Sequence, residues 1–149
     1  MNPDVYPLTL YYDASCPMCD AEMTHLRLRD EAGRLAFVDA SAPGFDAPPP
    51  GTTVAELLTL IHGRRADGTL VRGVEVFQLA YAAVGLHGVS RPLAWPGVRR
   101  LADAVYPWVA RHRYRLPRFL VHVVFGRRIR RAAAAALARA RCTDSTCRL

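Results

Sequence analysis

The feature that most restricts the fold of this chain is a C-x-x-C motif, Cys16 and Cys19, between a short apolar run and a helical pattern. Residues 8–12 before the motif are rich in β-forming side chains, so they predict a buried strand. Pro17 suits the first turn of a helix, where its missing N–H has no role. The motif has three interpretations: a redox dithiol, half of a zinc site, or two buried thiols that are close by chance.

The composition predicts one domain of ordinary size in a reducing compartment. The 149 residues are 51% hydrophobic, enough for a core, and the four cysteines are too few for a disulfide scaffold. Residues 1–12 lack the basic start and long apolar region of a signal peptide, and no apolar segment reaches the roughly 18 residues of a membrane span. We therefore expect a cytoplasmic protein, in which a C-x-x-C indicates redox cycling or metal binding.

The order of the predicted elements indicates a fold class. After the first strand we predict, in order, a helix at residues 17–30, a strand at 34–40, a helix that begins with a capping box at Thr53 and Glu56, a hairpin at 58–73 and a helix at 74–85. The resulting order β-α-β-α-β-β-α, with a C-x-x-C after the first strand, is the thioredoxin-like arrangement. The prediction is an α/β fold with a thioredoxin-like redox core over residues 1–90.

The remaining residues, 91–149, predict a basic α-helical C-terminal extension packed on that core. We read residues 87–97 as a connector, 98–115 as an amphipathic helix interrupted by Pro107, and 127–142 as a further helix. Residues 1–90 carry six arginines against eleven acidic residues, whereas residues 91–149 carry fourteen against two. This segregation of charge predicts an acidic partner for the extension.

Aromatic side chains lie among these arginines and leave two interpretations open. The first is peripheral contact with an anionic membrane surface, and the second is an amphipathic helix that packs its aromatic side chains and solvates its arginines. No nucleic-acid motif is present, so nucleic acid is the weaker candidate partner. The aromatic residues concerned are Trp95, Tyr106, Trp108 and Tyr114.

The position of the motif suggests separate roles for the two thiols. The N–H groups and dipole at a helix start favour a thiolate at Cys16, and Cys19 lies one turn further on, ready to resolve a mixed disulfide. The acidic Asp20 and Glu22 oppose that thiolate, so we expect a smaller pKa depression than in strong oxidants, which favours a reductase. Asp13 either relays the proton of Cys19 or caps backbone N–H groups near the helix start.

Cys142 and Cys147 form a second pair near the end of the sequence. With Cys16 and Cys19 they could complete a four-cysteine zinc site, or they could form an auxiliary dithiol, or they could be idle thiols. The zinc alternative describes a non-catalytic binding module whose arginine-rich helices dock on an acidic partner. The five histidines are scattered, and we assign them surface or packing roles.

The stretch YYDASCPMCDAE resembles the D-x-x-C-x-x-C signature of the DCC family of thiol-disulfide oxidoreductases, with Asp13, Cys16 and Cys19 at its three defining positions. Further stretches that are similar to the family lie at residues 34–40, 67–77 and 106–116. The resemblance implies a thioredoxin-like fold and thiol-disulfide exchange. One departure is that no proline lies between Gly51 and Arg91, where related folds place a cis-proline before the third strand.

The sequence therefore predicts a thiol-disulfide oxidoreductase of the protein-disulfide reductase type, without a bound cofactor or metal. Cys16 attacks a disulfide-containing protein or small-molecule substrate, and Cys19 releases the reduced product. Asp13 assists proton transfer. A cellular thiol reductant then recycles the Cys16–Cys19 disulfide.

Overall fold

The computed structural model describes the backbone of residues 3–115 and 118–143, and the side chains of residues 3–115 and 126–139. Cys147 lies outside these residues, and of Cys142 only the backbone is described. The predictions for this second cysteine pair therefore remain predictions. Among the described residues, no helix is long and apolar enough to cross a membrane.

A four-stranded sheet in the order β2-β1-β3-β4 forms the centre of the fold. Strand β1 (Leu8–Tyr12) pairs in parallel with β2 (Leu35–Asp39) and antiparallel with β3 (His62–Arg64), which pairs antiparallel with β4 (Leu70–Arg72). Helix α1 (Pro17–Arg27) forms the crossover from β1 to β2. Because β1 is an inner strand, the C-x-x-C that follows it lies at the carboxyl end of the sheet centre, where open α/β sheets bind ligands.

Two further helices complete the predicted core, so the order β-α-β-α-β-β-α is confirmed. Helix α2 (Val54–Thr59) begins with the predicted capping box: the hydroxyl of Thr53 accepts the N–H of Glu56 at 3.2 Å, and the Glu56 carboxylate accepts the N–H of Thr53 at 2.8 Å. Helix α3 (Val74–Ala83) follows the hairpin directly. The fold is thioredoxin-like α/β, as predicted.

Helix α1 ends at Arg27, three residues before the predicted end. The Asp30 carboxylate accepts the backbone N–H groups of Arg34 and Leu35 at 2.9 and 2.8 Å. Gly33 adopts a positive φ of 60° in this turn. The carboxylate thereby stabilises a tight connection to β2 in place of another helical turn.

The predicted connector at residues 87–97 is wrong, because residues 87–94 form helix α4 (His87–Ala94). Glycine and proline in this stretch weaken an isolated helix, but α4 packs between α3 and the next helix and buries Ser90. Tertiary packing therefore outweighs local propensity here. Helix α4 also crosses the predicted limit at residue 90, and the division into two parts remains a prediction.

The predicted interruption at Pro107 is also wrong, because helix α5 (Pro96–His112) runs through it. A proline inside a helix costs about 3 kcal/mol through a lost hydrogen bond and a steric clash. The neighbouring Tyr106 packs against the core, and Ala110 is buried, which offsets this cost. A 3-10 turn, Arg113–Arg115, follows α5.

Helix α6 (Arg118–Thr143) runs along α1 as one continuous helix. The guanidinium of Arg139 contacts the Leu28 carbonyl at 3.1 Å and the Glu31 carboxylate at 2.9 Å, which attaches this helix to the end of α1. The main core lies between the sheet, α1 and α3, and its buried side chains include Leu8, Leu10, Met23, Leu26, Val76 and Ala80.

Candidate active site

The C-x-x-C lies where a buried strand gives way to a helix. Cys16 is the N-cap of α1, with extended backbone angles of −86° and 114°, and Cys19 lies one turn inside the helix. The end of the neighbouring strand β2 holds the loop before Cys16. The N–H of Ala14 donates to the Asp39 carboxylate at 3.1 Å, and the N–H of Ser15 donates to the Ser41 hydroxyl at 3.2 Å. The parallel pairing of β1 and β2 thus fixes the position of the first thiol.

The two thiols differ strongly in acidity. A hydrogen bond from the Cys19 S–H lowers the pKa of Cys16 to about 6, with help from the N–H groups of Cys19 and Met18 and the charge of Arg113, against the effect of burial. The same hydrogen bond and burial raise the pKa of Cys19 well above its usual range. At neutral pH the pair therefore consists of one thiolate, at Cys16, and one thiol, at Cys19.

Asp13 is buried beneath the dithiol, and both of its carboxylate oxygens are occupied. Oδ1 accepts the N–H and the hydroxyl of Ser15 at 3.0 and 2.6 Å, and Oδ2 accepts Arg113 at 2.8 Å and the hydroxyl of Tyr114. Burial alone would raise the pKa of Asp13, but the hydrogen bonds from Ser15 and Tyr114 and the charge of Arg113 lower it on balance. The Ser15 N–H bond matches the capping interpretation, and proton relay remains a prediction.

Arg113 is the residue of this site that the sequence reasoning missed. Its side chain is 5% exposed, and it donates to the Asp13 carboxylate and to the carbonyl of Leu58. Its charge lowers the pKa of both thiols. In the sequence, Arg113 is one of the fourteen arginines of residues 91–149. Helical spacing is the signal that could have identified Arg113. It lies on the same helical face as Tyr106 and Ala110, and this face packs against the core.

Tyr106 connects the extension to the core just before strand β3. Its hydroxyl accepts the backbone N–H of Ile61 at 3.3 Å, and its ring meets the ring of Phe77 edge to face at 5.7 Å. Burial raises the pKa of Tyr106 to about 12, so its hydroxyl stays protonated at neutral pH. Ile61 directly precedes the third strand, where the sequence lacks the proline of related folds. Unlike a proline, Ile61 has a backbone N–H, and the Tyr106 hydroxyl accepts it.

A cavity of about 370 Å³ lies beside the dithiol, between α1, α3 and α5. Cys19 forms part of its wall, whereas Cys16 does not and is 0% exposed. Most of the wall is apolar, and the polar groups on it are few. The polar side chains that line the cavity are Cys19, Asp13, Glu22, Tyr12, Tyr81, Tyr106 and Arg113.

The described residues contain no group of three or more side chains that could together bind a metal ion. Cys16 and Cys19 supply two thiols to such a site. The other two thiols of the zinc alternative belong to the second cysteine pair, whose side chains are outside the described part of the chain. The zinc alternative therefore depends on a direct measurement of metal content.

A thiolate at a helix N-cap, a protonated thiol one turn on and a thioredoxin-like sheet form an arrangement that is typical of thiol-disulfide oxidoreductases. The comparison with known proteins agrees. The chain belongs to the DCC1-like thiol-disulfide oxidoreductase family, whose model matches residues 10–119. The matched range includes Asp13, Cys16, Cys19 and Arg113.

The chain is also similar to an uncharacterized chloroplastic protein of Arabidopsis thaliana. The two are 32% identical over 114 residues, which make up 75% of this chain and 53% of the plant protein. The chain thus spans about half the length of this curated relative. No solved structure matches the chain.

Proposed function

We propose that this protein uses Cys16 and Cys19 to reduce substrate disulfides in the cytoplasm. Membership of the family supports thiol-disulfide exchange as the reaction class. The acidity of Cys16 supports the direction, which is reduction of the substrate. A pKa of about 6 is closer to the value near 7 of the reductant thioredoxin than to the value near 3.5 of a strong oxidant. A smaller pKa depression stabilises the reduced dithiol less, so its electrons are more easily given to a substrate.

The reaction follows from the two ionisation states. The Cys16 thiolate attacks one sulfur of the substrate disulfide, and the S–S bond breaks to give a mixed disulfide and a substrate thiolate, which takes a proton from Cys19. The Cys19 thiolate then attacks Cys16, forms the Cys16–Cys19 disulfide and releases the second substrate thiolate, which solvent protonates. A cellular thiol reductant returns the two electrons to the protein. In this scheme, both carboxylate oxygens of Asp13 accept hydrogen bonds, one of them from Arg113. This favours a role for Asp13 in holding the charge of Arg113 near the dithiol.

Redox titration of the purified protein against glutathione, with metal analysis of the same sample, tests the proposal. We expect a reversible two-electron couple with a midpoint of roughly −200 to −270 mV, the range between glutaredoxins and thioredoxin. A midpoint above about −150 mV would reverse the proposed direction. The absence of a couple, together with one zinc ion per chain, would instead establish the binding-module alternative.

The order of the two thiols has its own prediction. In a Cys19→Ser variant the mixed disulfide has no resolving thiol, so we expect it to accumulate on Cys16 when the reduced variant meets a substrate disulfide. Mass spectrometry of digested protein locates the adduct, and Cys16→Ser is the matched control. An adduct that forms on Cys19 in the control at the same rate would show that the assignment of the attacking thiol is wrong.

We also propose peripheral contact with an anionic membrane, carried by an exposed apolar stripe on α5. The stripe consists of Val98, Leu101, Val105 and Trp108, and Leu101 and Trp108 are 67% and 64% exposed. Trp95, which precedes the helix, is 68% exposed. The exposed Arg100 and Arg111 lie beside this stripe. An exposed apolar face that carries tryptophan and has arginines beside it is typical of interfacial helices.

Sedimentation with vesicles tests this contact. We expect binding to vesicles that contain anionic lipid and little binding to neutral vesicles, because arginine attraction and apolar burial act together. Leu101→Glu should weaken binding about fivefold or more, since it removes a buried apolar side chain from the interface. Ala55→Glu, an exposed position on helix α2, introduces the same charge away from the stripe as a control. Equal losses in both variants, or no preference for anionic lipid, would contradict the proposal.

A further inference from the structure

The cavity next to the dithiol restricts how a substrate reaches the reacting sulfurs. Cys16 is fully buried, whereas Cys19 is half-buried and forms part of the cavity wall. The thiolate of Cys16 accepts the hydrogen bond of the Cys19 thiol, so a disulfide that sits in the cavity against Cys19 lies next to the attacking sulfur. Cys16 exposes no surface to any substrate, so a disulfide approaches it from the cavity, past Cys19. The access route therefore favours a small molecule over a folded protein.

The size and lining of the cavity indicate what such a molecule looks like. A volume of about 370 Å³ falls in the range of roughly 300–1,000 Å³ that is typical of small-molecule sites. Apolar side chains from three helices line it, among them Met23, Phe77, Ala102 and Val109. Val105 lines the cavity and is 48% exposed, so the cavity reaches the surface beside this residue. An aliphatic body gains free energy in such a space, whereas a charged one loses its hydration.

One buried polar atom in the cavity lacks a partner. Glu22 lines the cavity, is 6% exposed, and its Oε1 atom has no hydrogen-bond partner within the described part of the chain. The Tyr81 hydroxyl lies near the same carboxylate, and burial and the charge of Glu22 raise the pKa of Tyr81. The nearest basic atom, Nδ1 of His25, lies 3.9 Å away, beyond hydrogen-bond range. Glu22 follows Cys19 by three residues on the same face of α1, which places the free acceptor about one helical turn from the thiol. An acceptor in this position suits a ligand with an N–H or O–H donor and repels a carboxylate.

We propose that the cavity binds a low-molecular-weight disulfide substrate with an uncharged aliphatic body and a hydrogen-bond donor for Glu22. This inference rests on the proposed function and names its substrate class. Cys16 attacks one sulfur of the bound disulfide, the S–S bond breaks, and the leaving sulfur takes the proton of Cys19. Cys19 then displaces the substrate from Cys16. The substrate gains two electrons and two protons, one of them from solvent, and the protein is left with the Cys16–Cys19 disulfide.

Single-turnover kinetics of the reduced full-length protein test the proposal with four disulfides in large molar excess. Lipoamide and lipoic acid share a cyclic disulfide and an aliphatic arm and differ only in an amide or carboxylate end. Hydroxyethyl disulfide is neutral but lacks the arm, and oxidised glutathione is polar and charged. We expect lipoamide to react about tenfold or more faster than lipoic acid and than oxidised glutathione at equal concentration, because a carboxylate is costly to bury beside Glu22.

Two variants and one control locate the effect in the cavity. Ala102→Phe fills part of the space and should raise the half-saturating lipoamide concentration about tenfold or more, with less than about a threefold change for hydroxyethyl disulfide. Ala104→Phe places the same ring at an exposed position two residues on and should change neither. Glu22→Gln keeps the size of the side chain and should reduce the preference for lipoamide over lipoic acid to about threefold or less.

Each alternative outcome has a separate meaning. A protein that reacts with none of the four disulfides contradicts the proposed function itself. A protein that reduces hydroxyethyl disulfide but shows no preference for lipoamide contradicts only the substrate class. If Ala102→Phe does not fold, Glu22→Gln decides the matter, and an unchanged preference in that variant would overturn the role of the free carboxylate oxygen.

Discussion

Replacing Cys16 with serine is expected to abolish disulfide reduction, with a loss on the order of 10³-fold or more in the single-turnover rate. A serine hydroxyl is not ionised at neutral pH and cannot form the mixed disulfide, so the variant lacks the attacking group. A loss of this size corresponds to about 4 kcal/mol of activation free energy. Stopped-flow reduction of hydroxyethyl disulfide measures it. Residual activity within about tenfold of the native rate would show that another thiol attacks.

The pH dependence of the native protein provides an independent check on the same residue. The pKa of Cys16 is lowered to about 6, so its thiolate is present above pH 6 and is lost as the pH falls through that value. Iodoacetamide is small enough to enter the cavity, and mass spectrometry of the peptide that carries Cys16 separates its alkylation from that of the other cysteines. The rate of alkylation of Cys16 should therefore be near its plateau at pH 7 and fall about tenfold per unit below pH 6. A half-maximal rate near pH 8.5, the usual value of a free cysteine, would contradict the hydrogen bond from Cys19.

The second large effect is expected for Arg113→Leu. This change removes one partner of a buried ion pair and leaves the Asp13 carboxylate without its cation, which should lower the free energy of unfolding by about 3–5 kcal/mol. It also removes a positive charge that favours the Cys16 thiolate, so the midpoint of the alkylation profile should move to higher pH. Urea unfolding and the alkylation profile measure the two effects.

Arg115→Leu is the matched control, because Arg115 lies in the same 3-10 turn and is exposed. We expect it to change the unfolding free energy by less than about 0.5 kcal/mol. Arg113→Lys keeps the charge and covers the case in which Arg113→Leu does not fold, and it should retain the low midpoint of Cys16. An Arg113→Leu variant with native stability and an unchanged midpoint would show that the ion pair has no role.

The sequence was most informative where local patterns decide the structure. The strand before the motif, Cys16 at the helix start, Cys19 one turn on and the capping box at Thr53 all depend on residues within a few positions of one another. Asp13 could be placed beside the dithiol for the same reason, since it is separated from Cys16 by only two residues. These features predicted the thioredoxin-like order and the position of the two cysteines at the start of α1.

Features that depend on distant contacts were missed or mistaken. Glycine and proline argued against a helix at residues 87–94 and for a break at Pro107, but packing against α3 and the core outweighs these local preferences. Arg113 lies 100 residues from Asp13, so no local pattern could pair them. The cavity likewise needs three helices whose relative positions are set only by the tertiary fold.

The pairing of Asp13 with Arg113 has a consequence for the order in which the protein acquires its reactivity. A ribosome completes the C-x-x-C almost one hundred residues before it adds the arginine that helps to stabilise the thiolate. During this interval the nascent chain carries both cysteines without that charge, so Cys16 is less acidic and less prone to react with passing disulfides. The thiolate is fully stabilised only when the last part of the site has been synthesised and folded.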